Sequence, residues 1–218
     1  MGRRTDHTRT ELRQMMLDAA TGLIDRYGLA GLSARAVARE IGYSVGTLYN
    51  LFDDLDDLVW QVNGRTLDAL RDHLATAATG AVSDVRVRRL AQAYLDFVAA
   101  HPRRWAAILE SRPRDDGEPP RWYRDRIRGL FDLAEAALSD YFPAGAEAER
   151  RRSAQVLWAG LTGIALLIET SSVPADTAPH ELVASLVATH LAGLASTAAG
   201  GAGRQQRAAP KRSRVSGQ

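Results

Sequence analysis

Apolar residues at Leu12, Met16, Ala19, Leu23 and Tyr27 step by four, three, four and four, the spacing of one face of an α-helix. Both ends of that helix are marked in the sequence. Thr8 with Glu11 forms a capping box, in which the Thr hydroxyl accepts from the N3 amide while the Glu side chain reaches back, and Gly28 can take the left-handed position just past the end. A short helix is predicted over 34–41, with Ser33 as its N-cap, Leu32 and Val37 as a hydrophobic staple and Gly42 as its stop. The same grammar then repeats: Ser44 as N-cap, Tyr43 and Leu48 as staple, and a helix from Val45 to about Leu51. Two short helices about a tight Gly42-Tyr43-Ser44 turn predict a helix-turn-helix.

Asp54, with Asp57 three residues on, caps a fourth helix predicted over 55–78, with Leu58, Val62, Leu67, Leu70 and Leu74 along one side. Helical periods recur at about 84–100, 103–111, 120–141, 147–170 and 179–198. Breakers separate them: Gly80, Pro102, the stretch from Pro113 to Pro120, Pro143 with Gly145, and Pro174 to Pro179. No segment sustains period-two alternation, so the predicted class is all-α. The expected organisation is a three-helix helix-turn-helix unit over 1–54 and a helical bundle over 55–198. From 199 onward Gly, Ala, Arg, Gln and Ser without apolar periodicity predict a disordered basic tail over 199–218.

The chain has no cysteine, which removes disulfides, thiolate zinc sites and cysteine nucleophiles and fits a reducing cytoplasm. Its longest apolar run, 163–168, falls far short of the roughly 18 residues of a membrane span, and the N-terminal stretch is polar and charged. The expectation is a cytoplasmic protein with no membrane partner. Net charge is only +2, but its distribution is uneven. Residues 1–52 carry seven Arg against five acids, for +2; residues 204–218 carry four Arg and one Lys with no acid, for +5; residues 53–203 are therefore −5. A basic front on an acidic body directs any polyanion to the N-terminal end.

The third helix has two sides. Leu48, Leu51 and Phe52 can face the inside of a three-helix unit, which leaves Ser44, Val45, Gly46, Thr47, Tyr49 and Asn50 outward. Gly46 allows close approach to a phosphate backbone. Thr47 can offer its hydroxyl to a phosphate or its methyl to thymine, Asn50 can pair with adenine N6 and N7 in the major groove, and Tyr49 can pack on the sugar-phosphate backbone. From pattern alone, the polar side of a small surface helix is an equal alternative.

The run from Leu32 to Phe52, with its Gly-Thr-Leu-Tyr-x-x-Phe core at Gly46 to Phe52, resembles the DNA-binding signature of the TetR family, a likeness that covers about 45 residues. The resemblance implies a homodimeric repressor whose third helix enters the major groove of operator DNA and whose C-terminal domain binds a small-molecule effector that releases it. It places the DNA-facing positions on Ser33, Arg35, Ser44, Val45, Thr47, Tyr49 and Asn50. Where the family often has a Lys at the start of helix four, this chain has Leu55, and the preceding stretch carries Asp53, Asp54, Asp56 and Asp57. Four carboxylates would repel a phosphate. Asp54 and Asp57 are therefore read as caps, and Arg3, Arg4, Arg9 and Arg13 are expected to supply phosphate contacts instead. Trp158-Ala159-Gly160 resembles the Trp-His-Gly signature of one C-terminal subfamily, with Ala159 in place of the His.

In the body, Tyr94, Phe97, His101, Trp105 and Leu109, with Trp122, Phe131, Trp158 and Ile164, lie on helices expected to pack together, and aromatic lining suits a small-molecule cavity. Aromatics at helical spacing also suit a plain core. The last two helices carry wide apolar arcs, including Leu157 and Leu161 on one and Leu182, Leu186, His190 and Gly193 on the other; that surplus width predicts a four-helix bundle with a second copy.

No catalytic, metal or cofactor site is expected. The five His residues give no i, i+4 pair, and neither a Gly-x-Ser-x-Gly elbow nor a P-loop occurs. An architectural or adaptor DNA-binding dimer without effector is the alternative function, and an enzyme is a more remote one.

Overall fold

Helix α1 (Arg9–Tyr27) starts on the predicted capping box: in the computed structural model Thr8 Oγ1 accepts from the Glu11 amide at 3.2 Å, and the Thr8 amide donates to the Glu11 carboxylate at 2.7 Å. That hydrogen bonding to the charged form holds the Glu11 carboxyl below its ordinary range. The structure describes residues 7–113, 117–172, 174 and 176–208, with side chains through Ser196. After a 3₁₀ turn (Leu29–Gly31) come α2 (Ala34–Ile41) and α3 (Val45–Tyr49). Their junction is a Schellman turn: Gly42 is left-handed at φ 75°, its amide donates to the Arg39 carbonyl, and the Tyr43 amide donates to the Ala38 carbonyl at 2.9 Å. A side chain at 42 would strain this turn and tilt α3 against α2.

Met16, Ala20, Ile24, Val37, Leu48, Phe52 and Leu58 close the N-terminal core with almost no exposure. Helix α4 (Leu55–Ala78) belongs to both halves of the molecule. Leu58, Val59 and Val62 sit in the N-terminal core, while Leu67, Leu70 and Leu74 sit in the larger core built with α5 (Ser83–Ala100), α7 (Arg121–Ala137), α8 (Glu147–Glu169) and α9 (Pro179–Ala208). The packing therefore does not part at residue 54. Helix α6 (Pro102–Glu110) also crosses the junction, since Ala107 belongs to the N-terminal core and Trp105 to the other.

Polar contacts fasten the same junction. Arg104 grips the Asp25 carboxylate with two nitrogens, one at 2.6 Å, and Arg103 donates to the Asp25 and Arg26 carbonyls at the end of α1. Buried Asn63 of α4 donates to Ser111 Oγ at 2.8 Å just past α6. Cations placed on the last carbonyls of α1 also complement its dipole. The two halves are thus held by one hydrophobic column, α4, and one polar clasp, α6.

Three element ends differ from those predicted. Helix α3 stops at Tyr49, because the Leu51 and Phe52 amides both return to the Leu48 carbonyl at 2.9 Å and turn Leu51 and Phe52 into the core. Helix α7 ends at Ala137 and passes through buried Leu138 into a 3₁₀ turn (Ser139–Tyr141), where Ser and Asp side chains compete for backbone groups. Helix α9 continues to Ala208, well past the predicted tail boundary at 199, in a segment whose repeated Ala favours helix despite its Gly. The remainder of the predicted tail, 209–218, lies outside the described residues.

Candidate nucleic-acid interface and effector cavity

Leu48, wholly buried, nails α3 to the core, so the opposite side of the helix is fixed outward. Tyr49 is 52% exposed, Ser44, Gly46 and Asn50 are exposed, and Val45 and Thr47 are half-buried at the edges. Ser33 and Arg35, at the start of α2, are exposed too. Ser44 is the N-cap of α3: its Oγ accepts from the Thr47 amide at 3.3 Å and lies 3.0 Å from Thr47 Oγ1. The hydroxyl pair leaves one proton for an outside acceptor. Ser33 caps α2 in the same way, accepting from the Ala36 amide at 3.2 Å.

Four basic residues were expected to touch phosphates, and the structure sorts them. Arg9 is exposed on the first turn of α1, whereas Arg3 and Arg4 lie outside the described residues. Arg13 is turned inward instead: it donates to the Leu51 carbonyl at 2.6 Å and sits 4.4 Å from the centre of the Phe52 ring. It ties the end of α3 to α1, because the carbonyls left at the end of so short a helix need a donor. His7 packs edge-on against Tyr43 with its Nδ1 3.2 Å from the phenol oxygen, which sets the approach to α1 against the helix-turn-helix turn.

The acidic run is used for capping. Asp54 accepts from the Asp57 amide at 2.7 Å, and the Asp57 carboxylate accepts from the Asp53 amide at 3.3 Å and from Gln61 at 3.2 Å. These bonds orient Asp54 and Asp57 toward the start of α4, where the helix dipole favours negative charge.

A narrow cavity of about 30 Å3 lies between α4, α5, α7 and α8. Of the nine residues expected around a ligand, Tyr94 and Trp158 form part of its wall. Their rings meet edge-on at 5.0 Å, with Trp105 against Tyr94 at 5.4 Å and Phe131 against Trp158 at 5.4 Å as an outer layer. Phe97 and His101 pack on each other at 4.8 Å, and burial together with the Arg104 charge lowers the His101 pKa. Leu109 and Ile164 pack against the core without reaching the cavity. Trp122 stands apart, pressed on Gly64 of α4 and under the Arg126 guanidinium, so it is corrected from cavity lining to helix packing. Most of the wall is aliphatic and was not among the expected residues: Leu130, Leu133, Ala134 and Ala137 form an i, i+3, i+4, i+7 stripe on α7, a period visible in the sequence.

Of the residues expected at a dimer interface, most are buried or half-buried within the subunit. Leu157 and Leu161 are buried in the subunit's own core, and Leu186 packs so closely on Gly160 that a Cβ there would stand 2.9 Å from it. Leu182 is half-buried, and His190 Nε2 lies 2.8 Å from Ser153 Oγ within the same chain. Of the six, only Gly193 is exposed. The wide apolar arc of α8 mostly serves α7 and α9. What remains outward is a stripe of Val156, Ala159, Leu166 and Leu167.

A helix-turn-helix carried on a helical body defines a DNA-binding regulator. A model of bacterial regulatory proteins of the tetR family matches residues 16–62, and a model of tetracyclin repressor-like C-terminal domains matches residues 87–190. An uncharacterized HTH-type transcriptional regulator of Mycobacterium tuberculosis is 31% identical over 155 residues, 71% of this chain and 69% of its own length. Among solved structures, a tetR-family transcriptional regulator from Streptomyces coelicolor superposes with a TM-score of 0.65 at 22% identity, covering 91% of this chain and 84% of that one. A Rhodococcus protein of unknown function gives 0.71 at 23% identity, covering 88% and 98%. The chain belongs to the TetR family of helix-turn-helix transcription regulators. Among the described residues no helix is long and apolar enough to cross a membrane.

Proposed function

We propose that the chain is a cytoplasmic, homodimeric repressor that reads operator DNA with the outer face of α3 and leaves it when a small molecule enters the cavity between α4, α5, α7 and α8. The observation that carries the reading is the two-sided α3: Leu48 is fully buried while Ser44, Tyr49 and Asn50 point out with no role in the core. In this reading Asn50 and Thr47 meet base edges, and Ser33, Arg35, Ser44, Val45, Tyr49 and Arg9 meet the backbone, with Arg4 as a further phosphate contact.

The cavity supports control by a ligand through its smallness. At about 30 Å3 it is far below the roughly 300 Å3 or more of a typical ligand site, so an effector must spread the helices around it. A ligand that fits only the spread state has the differential affinity that a conformational shift requires. Since α4 runs from this cavity into the N-terminal core, spreading it moves the α3 platform. An effector-free adaptor, in which the cavity is only a packing void, is the second reading, and ligand-dependent loss of operator binding separates the two.

Asn50→Ala tests base reading. Sequence preference should change, with about 1–3 kcal/mol of discrimination lost at the contacted base pair. Selection of bound sequences by wild type and variant measures it; identical preferences and affinities would remove Asn50 from the base-reading role.

A further inference from the structure

The cavity wall is as informative for what it lacks as for what it holds. Among the residues that line it there is no Arg, Lys, His, Asp or Glu, and the one titratable side chain is Tyr94. An ionised ligand there would be buried against leucine and alanine with no opposite charge, a cost that in proteins is avoided by pairing or neutralisation. The effector, on the reading of this cavity as the control site, is therefore uncharged.

The polar groups nearby add a second requirement. Tyr94 Oη and Thr162 Oγ1 lie 3.1 Å apart; whichever donates, the other hydroxyl keeps an unused proton. Burial pushes the Tyr94 phenol well above its ordinary pKa, so this proton stays on. The indole N–H of Trp105, packed edge-on against Tyr94, also has no acceptor, but Trp105 does not line the cavity. The Tyr94–Thr162 pair thus keeps one donor proton unused, and Tyr94 carries the one hydroxyl of the wall. A buried unpaired donor is costly, and a ligand that supplies an acceptor removes the cost.

We propose that the effector is a neutral, hydrocarbon-rich molecule bearing a hydrogen-bond-accepting oxygen, a ketone, ester or ether, with the hydrocarbon among the leucines of α4, α7 and α8 and the oxygen on the Tyr94 hydroxyl. Neither an anion nor an ammonium meets both conditions.

Four probes of one chain length test it on the full-length protein: 2-octanone, octane, octanoate and octylamine, followed by quenching of tryptophan fluorescence. The ketone is expected to bind most tightly, octane next, and the two ions most weakly. Tyr94→Phe removes one hydroxyl and keeps the ring; it should weaken the ketone about 2- to 12-fold and leave octane unchanged. Ala134→Leu fills the wall and should block both neutral ligands, with circular dichroism and a cooperative melt establishing that each variant is folded. Tightest binding of octanoate or octylamine, still blocked by Ala134→Leu, overturns the neutral class and leaves the cavity as the control site. Binding of any probe that ignores Ala134→Leu overturns the cavity reading itself. No binding of ketone or octane overturns the proposal as well.

Discussion

Replacing Leu167 on α8 by Arg, together with Val156→Arg, is expected to yield a folded monomer whose affinity for a two-half-site operator falls about 10²- to 10⁴-fold. Both side chains are large, apolar and mostly in solvent, at 47% and 59% exposure, so within one subunit the change removes little packing. The stripe they share with Ala159 is exposed among the described residues. A small residue such as Ala159 allows close helix approach, and a twofold copy of the same stripe would bury it in a self-complementary interface. The size of the loss comes from linkage: two recognition helices held on one body bind the second half-site at a high effective concentration, and a monomer forfeits that advantage. Mass in solution and operator affinity, measured on the same sample, check it. A dimer that persists with wild-type affinity would move the interface off this stripe.

The second large effect lies in the N-terminal core. Phe52→Ala is expected to cost about 3–5 kcal/mol, because Phe52 is 2% exposed and its removal leaves a cavity between α1, α3 and α4 that the fixed backbone cannot fill. The change also strips Arg13 of the ring beneath it. Since Phe52 and Leu51 end α3 and tuck it inward, operator binding should fail at temperatures where the C-terminal core is still folded. Chemical denaturation followed by far-ultraviolet circular dichroism, with Leu166→Ala as the exposed control, measures the cost. A loss below about 1 kcal/mol for Phe52→Ala would mean that the N-terminal unit is not packed as described.

Much of this architecture could be read from sequence because the local signals agree with one another. Thr8 with Glu11, Ser33, Ser44 and Asp54 all cap the helices they were expected to cap, and Gly42 stops α2 in the left-handed turn its position requires. The outward side of α3 was equally legible, since a five-residue helix with one buried leucine has few ways to sit. What escaped depends on contacts between residues far apart in the chain. Arg13 lies 38 residues from the carbonyl it binds, and Arg104 lies 79 from Asp25, so nothing in the local pattern distinguishes either from a solvated arginine. The breadth of the apolar arc on α8 was visible, but whether Leu157 and Leu161 face a neighbour in the same subunit or in another copy is a tertiary question. Gly160 held the hint: a missing side chain on a long helix marks a close approach, in this case by Leu186 of the same chain.

In the proposed function, two copies of α3 on one dimer read DNA through their outward face. Hydroxyl-radical footprinting of the full-length protein on genomic fragments it retains, with Asn50→Ala run in parallel, measures this. Two related protected segments are expected on each fragment, their centres about 34 Å or a multiple apart along the helix axis, with one dimer bound and the pattern lost or shifted in the variant. A single unpaired protected segment, or a footprint indifferent both to sequence and to Asn50→Ala, would contradict it.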